Sequence, residues 1–376
     1  MTDESIARIS SLPRAKLDET SREVLRGVDE IVVFSLPMNI RFRGITVREG
    51  ILLRGPEGWG EVSPFWDYGA EESARWLQSG IECSQGLSGG PWRRALVPVN
   101  LTIPVTGVEE ARKRILAQRG CKTAKVKVAD PGYLEDRDVE RVRGVAELMA
   151  ELYGDDARVR VDANTAWSVE EAEVALAALN EAAGPVDGLE YAEQPVETTR
   201  ELSELRELTD VPLAADESIR RAKNPLDVRS LRAADVGVVK VAPLGGIRTA
   251  MDVSRRVGLP TTVSSALDSS IGLAAGVAMS AAMDRLPYAG GLNTATMFAA
   301  DVVDDPLIAE DGNLSLDRAL QVARGPLTSR SRQVDDEVRH RWERRLNDMA
   351  HVLAKGPVAP WWDEGEDRVK RGAASE

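Results

Sequence analysis

Between about Pro104 and Leu292 the chain repeats one rhythm: a helical stretch, then a short apolar run rich in Val, Leu and Ala. VEEARKRILAQRG leads to AKVKV, DRDVERVRGVAELMAELYG to RVRVD, and SVEEAEVALAALNEAAG to GLEYAE. TRELSELRELTD then leads to PLAADE, PLDVRSLRAAD to GVVKV, GIRTAMDVSRRVG to PTTVSSA, and SSIGLAAGVAMSAAM to LPYAGGL. Regular β-α alternation is the pattern of a parallel sheet covered by helices. Ser168 and Glu171 form a capping-box pattern at the start of one of these helices. The intervals from Asp162 to Glu193 (31 residues), Glu193 to Asp216 (23) and Asp216 to Lys240 (24) each hold one helix and one crossover. The 35 residues from Lys127 to Asp162 leave room for a long loop near DPGYLEDRD.

The apolar runs carry charges where strand interiors disfavour them. Lys125, Lys127, Asp162, Glu193, Asp216 and Lys240 stand at the ends of successive runs. An open doubly wound sheet collects ligands at one switch point. Charges recurring on strand after strand fit a closed barrel, whose C-terminal strand ends build the active site.

Asp162, Glu193 and Asp216 offer oxygen and no nitrogen or sulfur, a donor set suited to Mg²⁺ or Mn²⁺. Any one of them could instead cap a helix or pair with an arginine. Three on successive strand ends favour a shared metal. Lys125 and Lys127 are two residues apart, so they point to one face of their strand and Val126 to the other. An exposed edge strand would also read KVKV. Buried near a cation, such an amine is expected to be driven toward its neutral form, which makes it a base. Lys240 repeats the theme across the ring. Together these residues suggest proton abstraction next to a carboxylate, with the metal stabilising the enediolate.

Other classes are disfavoured. The net charge of −13 argues against a nucleic-acid partner. IGLAAGVAMSAAM is too short for a membrane span. No apolar signal core opens the sequence, so a cytoplasmic location is expected. Cys83 and Cys121 make neither a disulfide framework nor a metal pattern. His340 and His351, the only histidines, lie in a charged C-terminal region that reads as a solvated surface helix. A Ser-His-Asp triad, a His-ligated zinc and a phosphate-binding GxxxxGK[ST] loop are therefore not expected. The low aromatic content (5%) offers no recognisable stacking platform.

KVKV, VDAN, YAEQP, AADES and VVKV, in this order, resemble the enolase superfamily and its muconate-cycloisomerase-like branch. RFRG (41–44), EGWGEVSPF (57–65), SSALDSSIGL (264–273) and GGLNTATM (290–297) extend the likeness from Val28 to about Leu316. Within that branch the chain looks most like the o-succinylbenzoate synthases of menaquinone biosynthesis. The resemblance implies an α/β fold: a modified TIM barrel, (β/α)7β, under an α+β capping domain. Residues 1–26 then read as a polar extension, 27–103 as the cap and 104–293 as the barrel. Residues 294–333 read as a return segment to the cap, and 334–376 as a charged helix and tail.

The resemblance also implies roles. Asp162, Glu193 and Asp216 would ligate Mg²⁺. Lys127 would take the α-proton of 2-succinyl-6-hydroxy-2,4-cyclohexadiene-1-carboxylate and then assist hydroxide departure in a syn dehydration. Lys240 would stand on the opposite face, and Lys125 would tune Lys127. Weaker candidates for substrate contact are Arg160, Asn164, Ser264, Ser265, Gly290 and Gly291. Asn164 also reads as a helix cap, and Arg160 as half of a structural ion pair. Arg41, Arg43 and Gly44 fall where a cap loop is expected. The rival reading is a racemase of N-acylamino acids or a dipeptide epimerase, using Lys127 and Lys240 as two bases. A cycloisomerase and a non-catalytic metal-binding barrel remain further alternatives. In each enzymatic case the partner is a small carboxylate. The oligomeric state is not readable.

Overall fold

The computed structural model describes residues 5–42, 44–87, 90–130 and 135–358. A five-stranded sheet forms the cap. It contains β1 (Ala7–Ser11), β2 (Glu30–Phe42), β3 (Ile45–Gly55) and β4 (Gly58–Val62). A short pair, β5 (Leu96–Pro98) with the later β13 (Asn313–Ser315), links the two units, and β14 (Ser331–Arg332) completes the cap sheet in the order β14-β1-β2-β3-β4. The helix Ala70–Ser84 packs on β4, and Gly60 and Gly80 let the two backbones approach. A Cβ on Gly60 would lie 1.9 Å from the Gly80 carbonyl oxygen.

The barrel strands are β6 (Leu101–Ile103), β7 (Thr123–Lys127), β8 (Arg158–Asp162), β9 (Leu189–Glu193), β10 (Leu213–Ala215), β11 (Val236–Lys240) and β12 (Thr261–Ser264). They pair in parallel in sequence order. Two parallel bridges, Val99 with Gly290 and Ser264 with Gly291, join the open edges and supply the eighth position of the ring. The outward Val, Leu and Ala side chains of the strands pack with the surrounding helices into one core. A second core fills the cap. No helix among the described residues is long and apolar enough to cross a membrane.

The structure departs from the sequence reading at three places. The polar stretch 1–26, read as an extension, contains β1, which sits between β2 and β14. Leu12, Leu17 and Leu25 are buried there, and Asp18 caps the helix Glu19–Val24. A few spaced apolar residues are enough to anchor a segment whose average is polar. β6, grouped with the cap in the sequence reading, pairs with β7 and opens the barrel. The C-terminal helix Asp336–Leu353 is not solvated all round. Trp342, Leu346, Met349 and Ala350 recur at helical spacing on a buried face against the cap. His340 is exposed, and His351 Nε2 lies 2.8 Å from Asp18 Oδ2. The tail from residue 359 and most of the loop expected near DPGYLEDRD lie outside the described residues.

Candidate active site

Strand register brings the charged residues to one end of the barrel. Lys127 is the register partner of Asp162, and Asp162 of Glu193. Across the ring Lys240 partners Ser264, which bridges to Gly291. Because β11 is four positions from β7 in a ring of eight, Lys240 faces the site from the side opposite Lys127. All six charged residues are buried.

A cavity of about 40 Å³ lies at this end. Lys125, Lys127, Asp162, Asn164 and Lys240 line one part of it, and Ser264, Ser265 and Gly291 another. The cap supplies Phe42 and Phe65. Phe42 is the last residue of β2, and the Lys127 ammonium stands 5.3 Å from the centre of its ring.

The side chains form one charged network. Lys125 Nζ donates to Asp162 Oδ2 at 2.8 Å and to both Glu193 oxygens at 2.9 and 3.0 Å. Lys127 donates to Asp162 and to Asn164 Oδ1. Lys240 donates to Asp216 Oδ2, whose other oxygen accepts from Arg220 Nε at 3.1 Å. Burial opposes the charge of Lys125, but Asp162 and Glu193 outweigh it and hold the amine above its ordinary value. This is the reverse of the shift expected from burial, because the carboxylates are the nearest charges. Burial likewise opposes ionisation of Asp162, and Lys125 and Lys127 overcome it to hold the carboxyl well below the usual range. Arg220 and then Lys240 do the same for Asp216. Burial and then Asp162 push the Glu193 carboxyl up to about 7.

Several weaker candidates fall elsewhere. Arg160 shares the inward face of Asp162 but sits one layer lower and does not line the cavity. Its Nε pairs with Glu190, and its Nη1 donates to Asn100 Oδ1 at 3.3 Å and to the Ala289 carbonyl at 2.8 Å. Tyr191 and Tyr288 flank its guanidinium. Arg160 thus forms the structural ion pair that the sequence also allowed. Gly290 also lies below the cavity and exchanges backbone hydrogen bonds with Pro98 and Asn100, which closes the barrel. Asn164 caps no helix: Ser168 caps the one that follows, with its capping box complete. Asn164 is instead left-handed (φ 47°) and faces Lys127. Arg41 is exposed, Gly44 sits in the β2–β3 turn, and Arg43 lies outside the described residues.

The sequence reading missed Phe42 and Phe65, although both lie within quoted stretches, RFRG and EGWGEVSPF. It also missed Arg220 and Tyr68. Arg220 stands four residues after Asp216, one helical turn on, and donates to the Tyr68 hydroxyl from the cap.

The residues fit a divalent cation by their chemistry. Three buried carboxylates share one inward patch, and burial first, then repulsion by Asp162 and Asp216, raises the Glu193 carboxyl. A divalent cation would relieve that repulsion. Among the described residues no three acidic, His or Cys side chains converge on one point as they stand. Lys125 reaches between Asp162 and Glu193 instead.

Comparison with known proteins bears on this arrangement. Residues 107–320 match the enolase C-terminal domain-like model, and residues 33–84 the enolase N-terminal domain-like model. An o-succinylbenzoate synthase of Thermobifida fusca is 50% identical over 76% of this chain and 86% of its own length. One from Mycobacterium tuberculosis is 47% identical over 77% and 85%. The solved structure of muconate cycloisomerase from Pseudomonas fluorescens superposes with a TM-score of 0.61 at 22% identity, covering 80% of this chain and 96% of that one.

Proposed function

The chain belongs to the enolase superfamily and, within it, to the o-succinylbenzoate synthase family, and from that premise we propose how its residues carry the reaction. The reaction is dehydration of 2-succinyl-6-hydroxy-2,4-cyclohexadiene-1-carboxylate to 2-succinylbenzoate, a lyase step of menaquinone biosynthesis carried out in the cytoplasm. The observation that carries the assignment of roles is one cavity lined by Lys127 and Lys240 from opposite sides, beside buried carboxylates.

Family members depend on a divalent metal. We assign Mg²⁺, replaceable by Mn²⁺, to Asp162, Glu193 and Asp216 from the hardness of their oxygens. When bound, it supplies charge stabilisation to the substrate carboxylate as negative charge builds there.

Lys127, as the neutral amine, takes the proton from the ring carbon that bears the carboxylate. Asn164 and Asp162 hold its nitrogen in place. The ammonium so formed returns that proton to the departing hydroxyl on the same face. Water leaves, and the ring becomes aromatic. Lys240 holds a positive charge over the opposite ring face. Lys125 stays charged beside Lys127 and raises the cost of a second charge there. Ser264 and Ser265 offer hydroxyls to the succinyl carboxylate.

A small-molecule site usually needs roughly 300 Å³ or more. The present cavity is far smaller, so admitting substrate requires its walls to open. The racemase reading keeps one specific support, the two lysines on opposite sides.

The test is ultraviolet detection of benzoate formation by purified protein. Turnover that chelator abolishes and Mg²⁺ restores is expected. Absence of turnover, together with deuterium exchange at the α-carbon of N-succinylamino acids, would move the racemase reading to the front.

A further inference from the structure

A buried polar cluster at the join of cap and barrel takes no part in the steps above. Arg48 on β3 is 2% exposed. Its guanidinium donates to the Leu267 carbonyl at 2.9 Å, the Ala266 carbonyl at 3.2 Å and Ser63 Oγ at 3.0 Å. Glu61 on β4 accepts on one oxygen from Ser269 N (3.0 Å), Ser269 Oγ (2.5 Å) and Gly272 N (3.2 Å). Its other oxygen accepts from Ser63 Oγ at 2.5 Å. Ser269 is the N-cap of the helix Ser270–Ala282, so Glu61 also sits where the helix dipole favours an anion.

Both cap residues therefore grip one stretch of the barrel, Ala266–Gly272. That stretch continues directly from the cavity wall, which runs from Ser264 to Leu267. Ala266, Leu267 and Ile271 pack in the core of the cap and not in that of the barrel. The wall thus belongs to the barrel by chain and to the cap by packing.

Asp268 completes the cluster. Its Oδ2 accepts from Ala266 N at 3.1 Å, while Oδ1 is buried without a hydrogen-bond partner. Burial and then Asp268 push the Glu61 carboxyl up to about 7, and burial also raises Asp268 against the pull of Arg48. Two buried carboxyls this close do not both ionise cheaply. Four donated hydrogen bonds meet Glu61 and one meets Asp268, so Glu61 is the more firmly held of the two carboxyls.

We propose that Arg48 and Glu61 are positioning residues through which the cap sets where the Ser264–Leu267 wall stands against bound substrate. The identity of that substrate rests on the function assigned above; the grip itself does not.

The experiment compares full-length Glu61→Gln, Arg48→Lys, Ser63→Ala and Asp268→Asn with the unaltered protein. It reads kcat, KM, Mg²⁺ affinity and thermal midpoint. Glutamine offers only a neutral oxygen to the three donors, and lysine lacks the fork that spans two carbonyls. Both should raise KM about tenfold, with kcat changed less than about threefold and Mg²⁺ affinity unmoved. Ser63→Ala is the gentler change, should a charged variant fail to fold, and should raise KM about threefold. Asp268→Asn keeps an oxygen for the Ala266 amide and should leave KM within about twofold.

A KM unmoved in the first three variants overturns the proposal. So does a parallel loss of kcat and Mg²⁺ affinity. Wild-type turnover tests the function separately. Hydrogen exchange at the Ser269 and Gly272 amides in Glu61→Gln reads the grip without turnover. Faster exchange is expected, and unchanged exchange overturns it.

Discussion

Two clusters of buried charge occupy the inside of one barrel, and β8 contributes to both. Near the floor, Arg160 meets Glu190, Asn100 and the Ala289 carbonyl between two tyrosine rings. At the mouth, two residues further along the same face, Asp162 joins Lys125 and Lys127 beside a cavity. Both clusters are desolvated and built on strand residues. Fixed partners meet two of the three guanidinium nitrogens on the floor, ring faces flank it, and it does not line the cavity at the mouth. The mouth keeps its lysines and carboxylates along the wall of a space. Burial of charge alone does not mark a catalytic group. Its position at the C-terminal end of the strand, against a space, does.

This division can be broken by substitutions that separate activity from stability. The largest effect is expected for Glu193→Gln. Divalent-metal binding, followed by calorimetry, should be lost, and kcat/KM should fall by about 10³-fold or more, with the fold kept. Arg160→Met should do the opposite. It leaves the half-buried Glu190 without its cation and should cost about 1–3 kcal/mol in denaturant unfolding. The folded fraction should retain kcat/KM. Full loss of activity in that folded fraction would move Arg160 to the mouth's side of the division. Lys240→Ala should lower the dehydration rate by about 10²-fold, less than loss of the base, because it holds charge and transfers no proton in the dehydration. An effect as large as that of Lys127→Ala would favour two-base chemistry. Outside both clusters, Ser168→Ala removes a helix cap and should cost about 1 kcal/mol with kcat unchanged.

The mouth was legible in the sequence because its charges interrupt apolar runs, and β-strand periodicity fixes which way they point. The same periodicity could not separate Arg160 from Asp162. Residues two apart share a face, and depth within the barrel is set by stagger between strands. The cap's contribution was harder to read. Arg48 and Glu61 reach the barrel across more than 200 residues of chain, and Phe42 reaches Lys127 across 85, so no local pattern announces them. β1 was hidden by its polar average, and β6 by its three-residue length. The barrel, by contrast, declared itself through seven repeats of one unit, each with the same alternation.

The most direct measurement is kcat for Lys127→Ala on the cyclohexadiene acid with saturating Mg²⁺, beside its thermal midpoint. The account predicts a fall of about 10³-fold or more with the midpoint and metal affinity held. Turnover within tenfold of the unaltered protein, in a folded and metal-loaded variant, would contradict it.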